Sequence, residues 1–374
     1  MASRGCGSYQ KRINEVNDID FRDFVTPWNF FAVFLSDDRV VIKWLQEHGL
    51  LLNSMYCIRC NNADLPMRLQ TRKSCIDGVT WRCVYGHELS IRRNSFFEKS
   101  HISLRDIMLF VYEFLKHQTL WKTSLQTNFS YRSTAVDWAN FVRDIFRQYT
   151  NDVVFNMKFS GDIEVDESIF GRRSKNNMGA RKGCRVWIVG IVERSSKRII
   201  LYPVECRPEE VLIRLIDTHV EKGSRIYTDG WAAYGKLNEH GYQHFTVIHS
   251  YQFTRKYVNI ETGEEVICHV NSVEGAWAHA KKHFRTINGC SLSTFEGHLA
   301  EVMWRNHVST KNGNEYEDFF ALLKQYYPLN EACKLANCAN LYDTWNTNGG
   351  EITAYCENAD GHTQVCNKEV CYCN

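Results

Sequence analysis

The sequence predicts an α/β multidomain protein whose largest domain is built on a mixed β-sheet. Three observations carry that expectation. After residue 150 the apolar period changes from helical to strand-like, and the elements then run β-β-β-α-β-α-β-α. Earlier in the chain a Cys-x2-Cys pair and a Cys-x3-His pair stand 22 residues apart, a spacing suited to a tetrahedral metal site. Between the two regions lie long stretches of helical period. A chain of 374 residues has room for two or three domains. Its 44% hydrophobic and 24% charged residues are those of an ordinary soluble globular protein.

Residues 1–54 form a first helical region, with "VVIKWLQEHGLLL" carrying apolar residues at helical spacing across 20–50. Residues 55–100 read as a zinc ribbon. Cys57 and Cys60 in "CIRC", with Cys83 and His87 in "WRCVYGHELSIR", give two ligand pairs from two tight turns. Cys75 lies between the pairs and competes with His87 as the fourth ligand. Four protein ligands leave no open position, so this Zn2+ is structural. Residues 101–150 read as a helix-turn-helix-like module. Ser103 caps "LRDIMLFVYEFLKH", a short element follows near 119–128, and a long helix begins near Arg132, Ser133, Thr134 and Asp137, the positions that would approach DNA. Residues 55–149 hold 14 Lys/Arg against 8 Asp/Glu, a local net of +6, which favours a polyanionic partner.

Residues 151–310 contain the mixed sheet. Strands are expected at 161–170, 184–193 and 197–206, then a helix opened by Pro208, a short strand ending at Asp229 with a helix after it, a fifth strand in "HFTVIHS", and the helix "NSVEGAWAHAKKHFR". A three-stranded meander followed by alternating helices and strands matches a ribonuclease-H-like sheet. In such a sheet, acids on the first strand, at the end of the fourth and on a later helix meet at one point. Clustered carboxylates repel unless cations neutralise them, and hard oxygen donors select Mg2+ or Mn2+. Two such ions suit a phosphodiester displacement. Strand alternation places Asp162, Glu164 and Asp166 on one face, so the pattern alone does not choose among them.

The phrases "EVDESIFG", "IYTDGWAAY", "VNSVEGAWAHAKKHF" and "LAEVMWRNH", with "WRCVYGHELSIRRNSFFEKS" before them, resemble the Merlin-type DDE transposases and their bacterial insertion-sequence relatives over about residues 20–310. The resemblance implies a ribonuclease-H-like catalytic domain, divalent metal, and DNA cut-and-paste chemistry. It maps the three catalytic, metal-holding acids onto Asp166, Asp229 and Glu274. The 44 residues between Asp229 and Glu274 exceed the spacing expected of the family, and "YQFTRKYVNIETGEEVICH" reads as an inserted β-hairpin. Asn271 is a candidate cap for the Glu274 helix and a candidate metal or phosphate contact, and Trp277 is a core residue. Lys281 and Lys282, and the basic loop of Arg172, Arg173, Lys175, Arg181, Lys182 and Arg185, are candidate DNA contacts.

Residues 311–374 form an acidic, Cys-rich tail. Residues 313–374 hold 3 Lys/Arg against 9 Asp/Glu, a net of −6, and Cys333, Cys338, Cys356, Cys366, Cys371, Cys373 and His362 offer a second zinc module. No apolar run reaches membrane-spanning length and no signal-peptide segment is seen, so no membrane is expected. The 15 cysteines then point to a reducing compartment, the nucleus if the host is eukaryotic and otherwise the cytoplasm. The expected activity is transposon-end binding, cleavage and strand transfer, with terminal inverted repeats and target DNA as partners and at least a homodimer on DNA. A domesticated DNA-binding derivative and a nuclease without strand transfer are the alternatives.

Overall fold

A computed structural model of the chain describes residues 32–34, 36–60, 62–171, 186–247, 254–258 and 265–329, together with the backbone of 356–357 and 363–364 in the tail. Helix α1 (Asp38–Glu47) starts where the Asp37 side chain accepts a hydrogen bond from Arg39 N at 2.8 Å, and it buries Val40, Val41, Ile42, Trp44 and Leu45. Residues 20–31 of the expected helical stretch lie outside the described residues. Two small antiparallel sheets follow: β1 (Tyr56–Cys57) with β2 (Asn62–Pro66), and β3 (Arg68–Thr71), β4 (Val79–Arg82) and β5 (Glu88–Leu89) in that order. Arg92, buried, fastens this region by donating to Asp77 at 2.8 Å and to the Ile102 carbonyl at 2.6 Å.

Helices α2 (Leu104–Leu115), α3 (Leu120–Gln126) and α4 (Thr134–Asp152) come next. Ser103 caps α2 as expected, its hydroxyl accepting from Asp106 N at 3.0 Å. Along α4 the residues Trp138, Val142, Ile145, Phe146 and Tyr149 repeat at helical spacing and are buried. Arg132 and Ser133 are exposed just ahead of it.

The central sheet is mixed. Strands β6 (Asp162–Phe170), β7 (Val186–Glu193) and β8 (Ile199–Val204) form an antiparallel meander. Helix α5 (Glu209–His219), opened by Pro208, leads to β9 (Arg225–Thr228), which pairs parallel to β6, and β10 (Gln243–Thr246) pairs parallel to β9. The order β10-β9-β6-β7-β8 makes β6 the middle strand. The helix expected after Asp229 is instead a single 3-10 turn at Ala232–Tyr234. Turns continue from Gly235 to Gly241, whose φ of +83° leads the chain into β10. The inserted hairpin is present as β11 (Arg255–Val258) and β12 (Glu265–Cys268), antiparallel. Helices α6 (Asn271–Thr286), α7 (Leu292–Thr310) and α8 (Glu315–Tyr326) complete this part of the chain. Helix α8 falls in the stretch read from sequence as tail, yet it buries Phe319, Phe320, Leu322 and Leu323, and the compact unit runs through Leu329.

Residues 330–374 form a separate unit, in which β13 (Cys356–Glu357) and β14 (Thr363–Gln364) pair antiparallel. The remaining tail cysteines and His362 lie outside the described residues, as does the loop 172–185. Among the described residues, no helix is long and apolar enough to cross a membrane.

Helices α4 and α7 meet through Phe146 stacked on Trp304 at 4.2 Å and through a buried ion pair, Arg143 Nε to Glu301 at 2.8 Å. Arg305 binds the other Glu301 oxygen at 3.0 Å, and His298 meets His283 of α6 at 3.0 Å. Burial, then Arg143, pushes His298 down to about 3, and burial likewise lowers His283 and brings His307 to about 4. Burial would raise Glu301, but Arg143 and Arg305 together hold it well below the usual carboxylate range.

These histidines have folded-state values below their unfolded ones, so the unfolded chain binds more protons over that interval. Their contribution is fully present above the ordinary histidine value of 6.5 and is lost as pH falls from there toward about 3. Urea unfolding at pH 7, 6 and 5 should show stability falling on acidification, by up to about 1.4 kcal/mol per pH unit for each group. His298→Gln should flatten that slope by about one proton, and an unchanged slope would refute this assignment.

Candidate functional site

Strand β6 carries four carboxylates in a position covered on both faces, and each finds a different solution. Ile163 and Val165 point into the apolar core, fully buried. Asp162 receives Arg225 at 2.7 Å and the Tyr227 hydroxyl at 2.8 Å, pinning β6 to its neighbour β9. Glu164 is fully buried and ion-paired with Arg194 at 2.7 Å. Asp166 accepts a hydrogen bond from the Trp277 indole N–H at 2.9 Å. Glu167, on the opposite face, lies beside the Tyr234 hydroxyl, but neither that hydroxyl nor Glu167 Oε1 completes a hydrogen bond of ordinary geometry.

Asp166, Asp229 and Glu274 come from three elements. Asp166 is on the middle strand. Asp229 follows the adjacent strand β9, where its Oδ1 accepts from Trp231 N at 3.0 Å. Glu274 is exposed in the first turn of α6. Burial raises the pKa of Asp166, the Trp277 and backbone hydrogen bonds oppose the rise, and the charges of Asp229 and Glu274 add to it. Burial likewise pushes Glu167 up to about 7, with Asp229 and Asp166 contributing. The sheet topology therefore brings these acids into one electrostatic neighbourhood, with Arg207 also acting on Glu167. Their oxygens are not drawn together as tightly as the two side-chain clusters whose donor atoms all lie within 4.8 Å.

One of those clusters is Cys57, Cys60, Cys83 and His87. Cys60 Sγ stands 3.7 Å from Cys83 Sγ and 3.1 Å from His87 Nδ1, and Cys57 Sγ stands 3.5 Å from the same nitrogen. Four thiolate or imidazole donors about 2.3 Å from a central ion would be separated by about 3.8 Å, so these residues fit a tetrahedral Zn2+. Desolvation, with Cys57 and Cys83 alongside, pushes the Cys60 thiol up to about 12. Burial opposes ionisation of Cys83, but the His87 and Tyr85 amides bring its thiol below the ordinary value. Cys75 is outside the cluster, so the fourth donor of the two considered is His87. The other cluster, His283, His298 and Glu301, has both carboxylate oxygens occupied by Arg143 and Arg305 and is a hydrogen-bonded ion-pair network.

Other expected contacts are scattered or differ. Asn271 does not cap α6: the N-cap position is Val270, with no side-chain cap of its own. Asn271 is exposed in the first helical turn. Trp277 is buried as expected, but its indole also reaches the site. Lys282 is exposed, while Lys281 is partly buried with its ammonium 5.8 Å from the Phe170 ring. Arg172, Arg173, Lys175 and the rest of that loop lie outside the described residues. Three participants were missed. Arg207 is held 3.3 Å over Trp187 and 4.5 Å over Trp231, beside Asp229 in sequence terms through Trp231. Tyr234 is the buried neighbour of Glu167. Gly190 is paired across the sheet with Asp166, and a Cβ there would lie 2.6 Å from the Trp277 ring. Only the short phrase "VGIV" in an otherwise apolar strand hinted at it.

Cys83→Ser should remove one equivalent of zinc by metal analysis and unfold β1–β5, while the helical signal of α4 and α7 persists. Retention of that zinc would refute the cluster. Gly190→Ala should cost about 1–3 kcal/mol, since the rigid indole cannot yield without leaving Asp166. A melting temperature equal to that of the wild type would show that α6 is not seated this closely.

Residues 158–307 match the family described as the ISXO2-like transposase domain. Over 114 residues, 30% of this chain and 80% of the relative, the chain is 29% identical to an "Uncharacterized transposase-like protein" of Haemophilus influenzae. A solved structure, "CryoEM structure of simian T-cell lymphotropic virus intasome in complex with PP2A regulatory subunit B56 gamma", aligns with 52% of this chain and 66% of that chain at 13% identity. Its TM-score of 0.24 is too low to define a shared fold. The family match and the Haemophilus relative agree with the resemblance carried by the quoted phrases, and both support an insertion-sequence-type transposase over residues 158–307.

Proposed function

We propose that this protein is a DNA transposase that binds transposon ends and catalyses metal-dependent cleavage and strand transfer through Asp166, Asp229 and Glu274. The observation that carries the reading is the placement of Asp166 on the middle strand, Asp229 just past the strand paired parallel with it, and Glu274 in the first turn of the helix whose Trp277 bonds Asp166. Three acids drawn from three elements to one place are suited to a divalent cation. The sheet order, an antiparallel meander extended by two parallel strands beyond its first member, supports a ribonuclease-H-like domain.

The three carboxylates would hold Mg2+ or Mn2+, hard cations that select oxygen donors. When bound, such ions supply charge stabilisation for the attacking and leaving oxygens of a phosphodiester. Asp166 is held in place by Trp277, Asp229 by its own turn through Trp231 N, and Glu274 by the seat of α6. Water adds its oxygen to phosphorus as the P–O bond to the 3′ oxygen breaks, and its proton goes to that oxygen; the freed 3′-hydroxyl then attacks a target phosphodiester, whose own 3′ oxygen leaves with the hydroxyl proton. No side chain is acylated or phosphorylated in this scheme. Arg207, stacked between Trp187 and Trp231, offers a cation beside the acids for the DNA backbone. The zinc-ribbon and helix-turn-helix readings of β1–β5 and α2–α4 supply the end-binding module, with Arg132, Ser133 and Thr134 at its DNA-facing end, in a dimer that cuts two ends together.

Asp166→Asn, Asp229→Asn and Glu274→Gln should each lower oligonucleotide cleavage and strand transfer more than about 100-fold, beyond the usual cost of losing an outer-sphere partner. End binding in metal-free buffer should stay close to wild type. Glu167→Gln is the control, because Glu167 lies on the opposite face of β6 from Asp166. Cleavage retained in all three variants would falsify the proposal.

A further inference from the structure

We propose that Glu164 is the positioning residue for Glu274: its carboxylate caps the first turn of α6 from the middle strand and so fixes where Glu274 stands relative to Asp166. The inference rests on the reading of Glu274 as a metal-holding acid. A fully buried carboxylate must have every lone pair engaged. Glu164 meets that requirement with four partners. Its Oε1 faces Arg194 Nε at 2.7 Å and His269 Nδ1 at 3.2 Å. Its Oε2 accepts from the backbone N–H of Ser272 at 2.7 Å and of Val273 at 3.0 Å. No oxygen is left for a cation, which separates Glu164 in role from Asp166, two residues along the same strand face.

The two amides bound by Glu164 belong to the residues immediately before Glu274. Free amides at a helix start need an acceptor, and an anion there also complements the helix dipole. A local Ser or Asn would satisfy the amides without fixing the helix to anything. Helix α6 lacks such a side-chain cap and takes its acceptor from β6. A second fastening lies just beyond Glu274, where Trp277 donates to Asp166 across the bare backbone of Gly190. Glu274 thus stands between two attachments, both made to the strand that carries Asp166.

Arg194 extends the device. It donates to the Ile267 carbonyl at 3.3 Å and to that of His269, and its guanidinium stacks 3.6 Å over Tyr227. The end of the inserted hairpin, the start of α6 and the strand before Asp229 are therefore organised around one ion pair. Displacement of a reacting group by about 1 Å can cost about 100-fold in rate.

The test compares Glu164→Gln, Glu164→Gln/Arg194→Gln and Glu274→Gln by Mn2+ titration. Two readouts are taken well below each variant's melting temperature: the Mn2+ concentration giving half-maximal oligonucleotide cleavage, and the Mn2+-induced rise in melting temperature without DNA. Glu164→Gln should raise half-saturating Mn2+ about 10- to 100-fold, as loss of an outer-sphere partner does, and shrink the Mn2+-induced rise. The KM for end DNA should be unchanged. The double variant, which also removes the guanidinium left without its carboxylate, should not regain Mn2+ affinity. A rate loss matching the unfolded fraction, with Mn2+ dependence unchanged, would overturn the inference, as would recovery of Mn2+ affinity in the double variant. Glu274→Gln separates the two readings. If it keeps wild-type Mn2+ dependence, the assignment of Glu274 fails; if it loses that dependence while Glu164→Gln keeps it, only the positioning role fails.

Discussion

A carboxylate shut away from water has to be fully partnered or neutralised, and on β6 that requirement organises the molecule around it. Asp162 uses side chains of the neighbouring strand. Glu164 uses an arginine from the end of the next strand and the open amides of a distant helix. Asp166 accepts from the Trp277 indole and a backbone amide and also faces the like charges of Asp229 and Glu274. The gradation along one strand, from acids paired with arginines to one facing other acids, locates the candidate site better than acidity alone. It also explains why so acidic a segment is stable as the middle strand of a sheet.

Two buried polar clusters in this chain illustrate opposite electrostatic logic. Beneath α7, Glu301 is engaged by Arg143 and Arg305, so its charge is compensated within the protein and the adjacent histidines stay neutral. At the sheet, burial raises both Asp166 and Glu167, Asp229 adds to both, and Arg207 acts on Glu167. The first arrangement holds helices together. The second gathers like charges, a pattern found at sites suited to a cation.

Much of this was legible in the sequence because it depends on local pattern. Alternation gave β6, β7 and β8 to within a few residues, Pro208 marked the start of α5, and the paired Cys and His spacing located the four clustered donors. What was not legible depends on contacts remote in the chain. Asn271 looked like a helix cap because caps are usually local, but the acceptor comes from Glu164. Gly190 lies within a strand expected at 184–193, and nothing in that pattern shows that the Trp277 ring packs against it. Asp229 was followed by a stretch of helical appearance that closes after one 3-10 turn, since nothing in its period reveals how soon β10 must begin. Helix α8 was hidden by acidic neighbours although its apolar face, Phe319, Phe320 and Leu323, is as regular as any other.

The cap on α6 also orders events in time. Glu164 and the amides it binds are 108 and 109 residues apart, so that contact forms only after a long loop has closed. Asp166 and Asp229 lie on or beside adjacent strands, whereas Glu274 is brought to them only by the seating of α6. A chain truncated before α6 carries two of the three acids without the third. Assembly of the site is in this way coupled to completion of the whole sheet and its covering helix.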